Sequence, residues 1–180
     1  MMRSERPPTV PAPLALLLRP LPLAPLALAL RRLGEGVAEA HPSLLARLGE
    51  HAEKRFLVDP TDLPFVFLVR PGAGRLAIAP FGRGRLPAFD ARIAGPLAVL
   101  LGMVHGALDG DALFFSGDLA IEGDTEAVLA LRNALDDAEL DLAGEFLGAL
   151  GPLASLVEPL ARSILAGARR LTGVALTRVA

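Results

Sequence analysis

Residues able to carry out catalysis or to bind a metal ion are few in this sequence, and their spacing does not fit such sites. The three histidines, His41, His51 and His105, show none of the HxH, HxxxH or HExxH spacings that bring two imidazoles to one metal ion. Ser116 lies in FFSGD and not in the GxSxG turn that exposes a serine nucleophile. We therefore interpret the histidines as helix caps or surface residues, and Ser116 as a turn or strand residue.

Two acidic groups could also be taken for functional sites. The turn Asp109-Gly110-Asp111 is similar to the start of a calcium loop, but the later ligands and the closing glutamate are missing. Glu122, Asp124 and Glu126 could form an acid–base cluster, yet helix capping and exposure to solvent explain them more simply. The sequence therefore predicts no catalytic residue, no metal site and no cofactor.

The composition indicates one compact domain rich in apolar residues. The chain has 180 residues, of which 52% are hydrophobic, yet no uninterrupted apolar run is long enough to span a bilayer. The absence of cysteine excludes disulfides, thiolate nucleophiles and zinc–thiolate sites, and it is compatible with a reducing cytoplasm. The lack of tryptophan and tyrosine, a pI near 5.9 and a net charge of −2 argue against a nucleic-acid partner.

Positive charge is concentrated towards both ends of the sequence. Residues 1–34 contain five arginines and one glutamate, and residues 153–180 contain four arginines and one glutamate. Basic, apolar ends around an acidic middle suggest contact with an anionic membrane surface. Chance clustering of arginine in a chain rich in Ala, Leu, Arg and Gly is the alternative.

The pattern divides the chain into three parts. Residues 1–25 are an apolar leader with seven prolines, which together with Arg19 argue against a transmembrane helix. This leader is predicted to be retained on the domain or at a membrane interface, with a cleaved signal peptide as the alternative. Residues 26–140 are predicted to form the main domain. Residues 141–180 form a C-terminal amphipathic extension, which is either an interfacial helix or lid, or a helix that completes the core.

The first part of the main domain is predicted to contain two helices, several strands and another helix. The stretch 26–55 fits two helices separated at His41-Pro42. Short apolar runs predict strands at 56–58, 65–69 and 75–79, with a hairpin loop at Gly72-Ala73-Gly74, and a further strand at 88–93. Pro96 is predicted to open a helix that ends near Gly106.

The most informative stretch follows the acidic turn at Asp109. Phe115, Leu119 and Ile121 share one strand parity and are predicted to face one side of a sheet. A turn then leads into an amphipathic helix, whose N-cap is predicted at Asp124 or Thr125. The order helix, strands, helix, strand, helix predicts an α+β fold and not a doubly wound parallel sheet.

Three segments carry a resemblance to a known family. They are Leu113-Phe114-Phe115, the run Leu119-Ala120-Ile121-Glu122-Gly123-Asp124-Thr125-Glu126, and the helix from Asn133 to Leu140. In these segments the chain resembles the lipid-binding domain of the sterol carrier protein type 2 superfamily. Within that superfamily it is most similar to the UbiT family, bacterial accessory factors of oxygen-independent ubiquinone biosynthesis.

The resemblance implies a mixed sheet covered by helices around an apolar cavity. It implies binding of polyprenylated quinone precursors or phospholipids, and their presentation to hydroxylase and methyltransferase enzymes of the ubiquinone pathway together with the UbiU and UbiV proteins. No catalytic residue is carried over, and we expect a cytoplasmic protein with peripheral contact to the inner face of the cell membrane. The motif positions carried over are Leu113, Phe114, Phe115, Ile121, Glu122, Gly123 and Asp124.

Nine residues are predicted to line the cavity, although each could equally belong to an ordinary core. They are Phe65, Phe67, Phe89, Ile93, Leu101, Val104, Phe115, Leu119 and Ile121. Two other functions stay open at this point. One is an interaction scaffold with a fully packed core and no lipid. The other is an acyl-handling enzyme, for which Ser116, His105 and Asp90 are the available polar groups.

Overall fold

The structure, a computed structural model, describes residues 9, 23–72, 74–104, 117 and 119–138, and within them it has four α-helices and five strands. Helix α1 spans Leu23–Ala40 and α2 spans Pro42–Arg47, followed by a 3-10 helix at Gly49–Glu53. The remaining elements are β1 (Phe56–Pro60), β2 (Phe65–Gly72), β3 (Arg75–Gly82), β4 (Ala91–Gly95), α3 (Leu97–Val104), β5 (Ala120–Gly123) and α4 (Thr125–Ala138). This is the predicted α+β order.

Some predictions fall on residues outside this description. They concern most of the leader, the C-terminal extension and the motif residues Leu113, Phe114 and Phe115. Helix α1 begins at Leu23, so the last three residues assigned to the leader belong to a helix. Among the described helices, none has both the length and the apolar character that crossing a bilayer requires.

Pro42 separates the first two helices, because a proline inside a helix removes a hydrogen bond and clashes with the preceding turn. Helix α2 begins at Pro42, with His41 in the N-cap position, so the predicted break is confirmed. The second helix is shorter than predicted. Gly49 has φ +52°, a left-handed conformation that ends an α-helix, and the chain continues as a 3-10 helix.

The strands form one mixed sheet with the order β3-β2-β1-β4-β5. Strand β1 pairs antiparallel with β2 and parallel with β4, and the β2–β3 and β4–β5 pairs are antiparallel. The predicted hairpin between β2 and β3 is confirmed. Strands β3 and β5 are therefore the two edges of the sheet that the described residues form.

Alternation along the strands gives the sheet two faces, and both carry apolar side chains. The inner face is the one that the helices cover, and its side chains include Phe56, Val58, Phe67 and Ile93. The opposite, outer face includes Leu57, Val66 and Leu68, which are at most 7% exposed. Something other than the helices must therefore cover the outer face.

The connection between β3 and β4 covers the outer face. Strand β3 is an edge and β4 lies beyond β1, so residues 83–90 have to cross the sheet. Phe81 before the connection and Phe89 within it pack against the apolar cluster of the outer face. Arg83 holds the start of the connection, because its Nε and Nη2 donate to the carbonyl oxygens of Leu63 and Pro60 at 2.6 and 2.5 Å.

The strand predicted at 88–93 is shifted for the same reason. Strand β4 begins at Ala91, after the connection has crossed the sheet. Phe89 lies before the strand, so the alternation that predicts one face for Phe89 and Ile93 does not apply to it.

Helix α1 lies directly on the edge strand β3, and Gly34 is the point of closest approach. A Cβ atom built on Gly34 would be 2.0 Å from the carbonyl oxygen of Leu76 and 3.6 Å from Cγ1 of Ile78. Helix α4 packs on β4 and β5, α2 packs on α1 and α4, and α3 packs on β4 and α4. The helices thus form one layer over the inner face.

We expect Gly34→Ala to destabilise the protein, although alanine is the better helix former. The added methyl group would push α1 away from the Leu76 backbone, and such overpacking costs about 1–3 kcal/mol. The contact is with a backbone oxygen at 2.0 Å, so we expect the upper part of this range, about 2–3 kcal/mol. Higher helix propensity returns about 1 kcal/mol, so the free energy of unfolding should fall by about 1–2 kcal/mol in urea titrations. Glu35→Ala, at the exposed neighbouring position, is the control and should change stability by less than about 0.5 kcal/mol.

An apolar cavity as candidate functional site

An apolar cavity of about 290 Å³ lies between the inner face of the sheet and the helix layer. Its described helical wall consists of Leu30, Leu33, Val37, Leu44, Leu97, Leu100, Leu101, Met103, Leu131 and Leu135. Its described sheet wall consists of Val58, Pro60, Phe67, Val69, Pro71, Leu76, Ile78 and Ile93. All four helices and four of the five strands thus contribute to the wall.

The chemistry of the wall is that of a hydrocarbon container. Each described side chain of the wall is apolar, so the described part of the wall offers no side-chain donor, acceptor or charge to a ligand. The energy of binding must come from removing apolar surface from water, at roughly 0.8 kcal/mol per buried methylene. Such a wall binds the apolar part of an amphiphile and leaves its polar group outside.

The structure places three of the predicted residues, Phe67, Ile93 and Leu101, in the cavity wall. Phe65 is buried beside Phe67, with ring centroids 5.5 Å apart and an edge-to-face angle of 72°. Phe89 lies on the outer face, because it precedes β4, as described above.

The remaining predicted wall residues lie in or near strand β5 and helix α3 in the sequence. Leu119 is buried in the core that the helices cover, and Ile121 packs against it from β5. Neither is among the residues of the cavity wall. Val104 ends α3, but its side chain, like all of Phe115, lies outside the description.

Most of the helical part of the wall was not predicted from the sequence. The stripe Leu30, Leu33 and Val37 was recognisable as the apolar face of a helix, and that face lines the cavity. The same periodicity is found in a helix packed on a filled core. No pattern in the sequence distinguishes the two cases.

The motif run around Gly123 is structural, and it turns the chain from β5 into α4. Gly123 has φ +87°, and a Cβ atom there would be 2.3 Å from the carbonyl oxygen of Asp90. Asp124 is the N-cap, since its Oδ1 accepts a hydrogen bond from the backbone N–H of Ala127 at 2.9 Å. That bond, followed by the ion pair with Lys54 Nζ at 2.9 Å, holds the pKa of Asp124 below its usual value.

Asp90, one of the polar groups considered for an acyl-handling enzyme, is engaged elsewhere. Its Oδ2 accepts hydrogen bonds from Arg55 Nε at 3.0 Å and from the Arg55 backbone N–H at 2.8 Å, and its Oδ1 accepts from Arg55 Nη2 at 2.8 Å. The side-chain bonds first, and then the backbone bond, hold the pKa of Asp90 far below its usual range. Asp90 is not among the wall residues, and His105 and Ser116 lie outside the described part.

A second ion cluster lies on the outer face, around the buried Asp59. The Asp59 residue is 1% exposed, and its carboxylate contacts Arg92 Nη2 at 2.6 Å and Arg83 Nη2 at 2.7 Å. Burial by itself raises the pKa of Asp59, but hydrogen bonds from Arg92 and Arg83 outweigh it and lower that pKa below its usual value. The cluster fixes the β3–β4 connection to β1 and β4.

Strand β1 also positions helix α3, which supplies part of the wall. After β1, Asp62 Oδ1 accepts a hydrogen bond from the backbone N–H of Leu97 at 2.9 Å, at the start of α3. The backbone N–H of Thr61 donates to the carbonyl of Gly95 at 2.9 Å.

In the described residues no group of three or more His, Asp or Glu is placed to hold a metal ion.

We expect Asp90→Asn to lower stability at neutral pH and to flatten the acid unfolding profile. A carboxyl whose pKa is lower in the folded state stabilises the protein above its unfolded pKa of about 4. That contribution is lost as the pH falls below about 4 towards the folded-state pKa. Urea titrations between pH 7 and 3 measure this slope, and Glu53→Gln controls for the loss of an exposed carboxylate. Equal slopes for wild type and Asp90→Asn would show that this ion pair contributes nothing.

Comparison with protein families identifies the domain. The family model described as the SCP-2 sterol transfer family matches residues 32–136. This chain belongs to the SCP-2 sterol transfer family. The matched region of this SCP-2 domain runs from within α1 into α4 and therefore contains nearly all of the cavity wall. The prediction of a sterol-carrier domain is confirmed, whereas the narrower assignment to the UbiT family stays a prediction.

One solved structure agrees with the family at the level of the fold. A structure described as "UbiJ-SCP2 Ubiquinone synthesis protein" matches with a TM-score of 0.54 and 20% identity, over 67% of this chain and 98% of that chain. Sterol carrier protein 2 from Yarrowia lipolytica (apo form) matches with a TM-score of 0.44 and 12% identity, over 60% and 87%. The first likeness confirms the predicted sterol-carrier fold of the SCP-2 domain. Curated proteins gave no match to the sequence.

Proposed function

We propose that this SCP-2 domain is a non-enzymatic lipid-binding accessory factor that holds a polyprenylated quinone precursor or a phospholipid and presents it to enzymes of ubiquinone biosynthesis. The observation that carries the proposal is the cavity, whose described wall is apolar throughout. An interaction scaffold with a filled core has no use for such a space. An enzyme acting on the bound chain needs a polar group in the wall.

The size of the cavity narrows what it holds. A volume of about 290 Å³ lies just below the roughly 300–1,000 Å³ that is usual for small-molecule pockets. A long polyprenyl chain therefore fits only in part. In the proposed complex the segment of the chain nearest the head group lies in the cavity, and the aromatic head group stays accessible to a partner enzyme.

Two observations support the ubiquinone pathway. One is the fold shared with the structure named a ubiquinone synthesis protein, and the other is the resemblance of the LFF and IEGDTE segments to the UbiT family. By that resemblance the pathway is the oxygen-independent one, and the partners are UbiU, UbiV and the hydroxylase and methyltransferase enzymes. We propose a cytoplasmic location with peripheral contact to the inner face of the cell membrane.

The test measures ubiquinone in a strain that lacks this chain, grown with and without oxygen. We expect ubiquinone to fall only without oxygen, and to be restored by the wild-type chain. Val58→Phe, which places a larger side chain in the cavity, should fail to restore it. Leu129→Ala, at a residue 55% exposed on α4, should restore it. Unchanged ubiquinone in the deletion strain would exclude the pathway assignment.

A further inference from the structure

Charge is distributed unequally between the two edges of the sheet. The stretch 119–138, which forms the β5 edge and α4, contains five carboxylates and one arginine. The carboxylates are Glu122, Asp124, Glu126, Asp136 and Asp137. At the other edge, β3 contains Arg75 and no carboxylate, and its partner β2 contains Arg70 and no carboxylate. Four of these carboxylates have a cationic partner: Glu122 with Arg92, Asp124 with Lys54, Asp136 with Arg132 and Asp137 with Arg47. The β5 edge is therefore a network of paired charges, whereas β2 and β3 contribute arginines without carboxylates.

Arg70 and Arg75 are neighbours on the outer face, at the end of the β2–β3 hairpin. Arg70 pairs with Ala77, and Arg75 pairs with Gly72, so the two arginines occupy diagonal positions. Diagonal neighbours on one face are about 7–8 Å apart at their Cα atoms. Both residues are exposed. Two cations held this close repel each other unless an anion lies between them.

These two arginines differ in their ion-pair partners from Arg55, Arg83 and Arg92, which lie in or beside the sheet. Arg55 is bound by Asp90, Arg92 by Asp59 and Glu122, and Arg83 by Asp59 and two carbonyl groups. Within the described part of the chain, neither member of the pair at the hairpin has an ion-pair partner. Their charge is therefore available to an external anion.

The apolar cavity reaches the same end of the hairpin. Pro71 and Leu76 are cross-strand partners on the inner face, and both line the cavity. Each is the direct sequence neighbour of one of the two arginines. Helix α1 touches Leu76 at Gly34, and Arg31 and Arg32, both exposed, lie within one turn of that contact. Arg31 also lies 3.7 Å from Glu35 in an exposed ion pair, which a lipid phosphate would have to replace. Positive charge and the end of a hydrocarbon-binding cavity therefore coincide.

We propose that this end of the molecule, formed by Arg70, Arg75, Arg31 and Arg32 around Leu76, docks on an anionic phospholipid bilayer. The arginines bind lipid phosphates, and the end of the cavity at Pro71 and Leu76 then faces the acyl region, from which a chain enters. This inference rests on the proposed function, since it takes the ligand of the cavity to be a membrane lipid. It adds the surface and the orientation through which the lipid is reached.

Charge complementarity favours a membrane over a soluble anion at this place. Each arginine near an anionic bilayer contributes roughly a fivefold increase in binding, and the attraction falls off within a Debye length of about 8 Å at physiological salt. The charges at the β5 and α4 edge are largely paired with one another, so this edge offers the bilayer little free positive charge. The free positive charge at the hairpin therefore orients the domain with that end towards the lipid. A single phosphate ion would bind the arginine pair, but its binding would not depend on the charge difference between the two edges.

The test is co-sedimentation with vesicles of phosphatidylglycerol and phosphatidylcholine, and with vesicles of phosphatidylcholine alone. The double variant Arg70→Gln, Arg75→Gln should bind the anionic vesicles about 25-fold more weakly than wild type, since each arginine contributes about fivefold. Arg85→Gln is the matched control. Arg85 is exposed and lies beyond Gly82, which is about 23 Å from Arg75 along β3, so this change should weaken binding less than about twofold.

A second readout separates docking from the cavity. Binding of a fluorescent fatty acid delivered from ethanol should be the same for wild type and the double variant, because the arginines are not in the wall. If the wild-type protein does not bind the fatty acid, the proposed function is refuted. Three results would each overturn the docking surface: equal binding to neutral and anionic vesicles, unchanged binding of the double variant, or an equal loss in the Arg85→Gln control. Free phosphate at millimolar concentration should not compete with the vesicles, and competition would indicate an ion site instead.

Discussion

Gly123→Ala is expected to lower the free energy of unfolding by about 3 kcal/mol. Two costs add at this position. A residue with a side chain at φ +87° is strained by about 1–2 kcal/mol. The new Cβ atom would also lie 2.3 Å from the carbonyl oxygen of Asp90, and overpacking costs a further 1–3 kcal/mol, roughly.

The backbone around Gly123 has no room to relax. The carbonyl of Asp90 also accepts the N–H of Asp124 at 3.0 Å, and Gly123 itself pairs with Ala91 in the sheet. A shift of β5 away from Asp90 would break that hydrogen bond and disturb the start of α4. This explains in physical terms why a glycine stands before the N-cap in the IEGD sequence.

Gly49→Ala is the matched control for the backbone strain. Gly49 has φ +52°, and no atom lies within 4 Å of a Cβ built there. Gly49→Ala should therefore lower the free energy of unfolding only by the backbone strain, about 1 kcal/mol. Urea titration of both variants separates the two costs. Equal losses would mean that the close approach to Asp90 does not exist in solution.

Val58→Phe is expected to reduce lipid affinity at least tenfold and to leave stability unchanged or raised. Val58 lies in the central strand β1, between its inner-face partners Phe67 and Ile93, and it lines the cavity. The larger ring displaces about two methylenes of the ligand, and each contributes roughly 0.8 kcal/mol, which corresponds to about a tenfold loss. Filling an empty space commonly stabilises a protein by about 0.5–2 kcal/mol.

Val66→Phe makes the same chemical change on the opposite face. Val66 is 0% exposed and lies in the packed cluster of the outer face. This variant should lose about 1–3 kcal/mol of stability through overpacking and should keep its lipid affinity if it stays folded. Fluorescent fatty-acid titration and thermal unfolding measure both quantities. If Val58→Phe destabilises the protein as strongly as Val66→Phe, the inner face has no space to fill.

The order of elements could be predicted from the sequence because it depends on local patterns. Apolar periodicity located the helices and the hairpin, and Pro42 marked the break between α1 and α2. The N-cap was predicted at Asp124 or Thr125 from the chemistry of short polar side chains before an amphipathic helix, and it lies at Asp124. These features need only a few neighbouring residues to form.

The cavity wall could be predicted only in part, because it depends on contacts between distant segments. Both faces of the sheet are covered, so β1 and β2 are apolar at nearly every position, and parity alone did not say which face the helices take. Phe89 was assigned by an alternation that starts two residues later. An empty space has no residue of its own, and the leucines that line it are like those that fill a core.

The ion cluster of the outer face was not predicted either. Asp59 next to Pro60 reads as the end of a strand, and nothing near it in the sequence indicates that Arg83 and Arg92 will close over it. The partners are 24 and 33 positions away, and the β3–β4 connection brings the first of them across the sheet. Long-range pairing of this kind follows from topology and not from local composition.

The most direct test of the central claim, that the cavity holds a lipid chain, is mass spectrometry of organic extracts from the purified protein. Wild type and Val58→Phe are purified side by side, with Leu129→Ala as the surface control. We predict enriched polyprenylated phenols, quinones or phospholipids in the extracts of wild type and Leu129→Ala, and their depletion in Val58→Phe. The same lipid content in all three proteins, or none in any of them, would contradict the assignment of this cavity as the binding site.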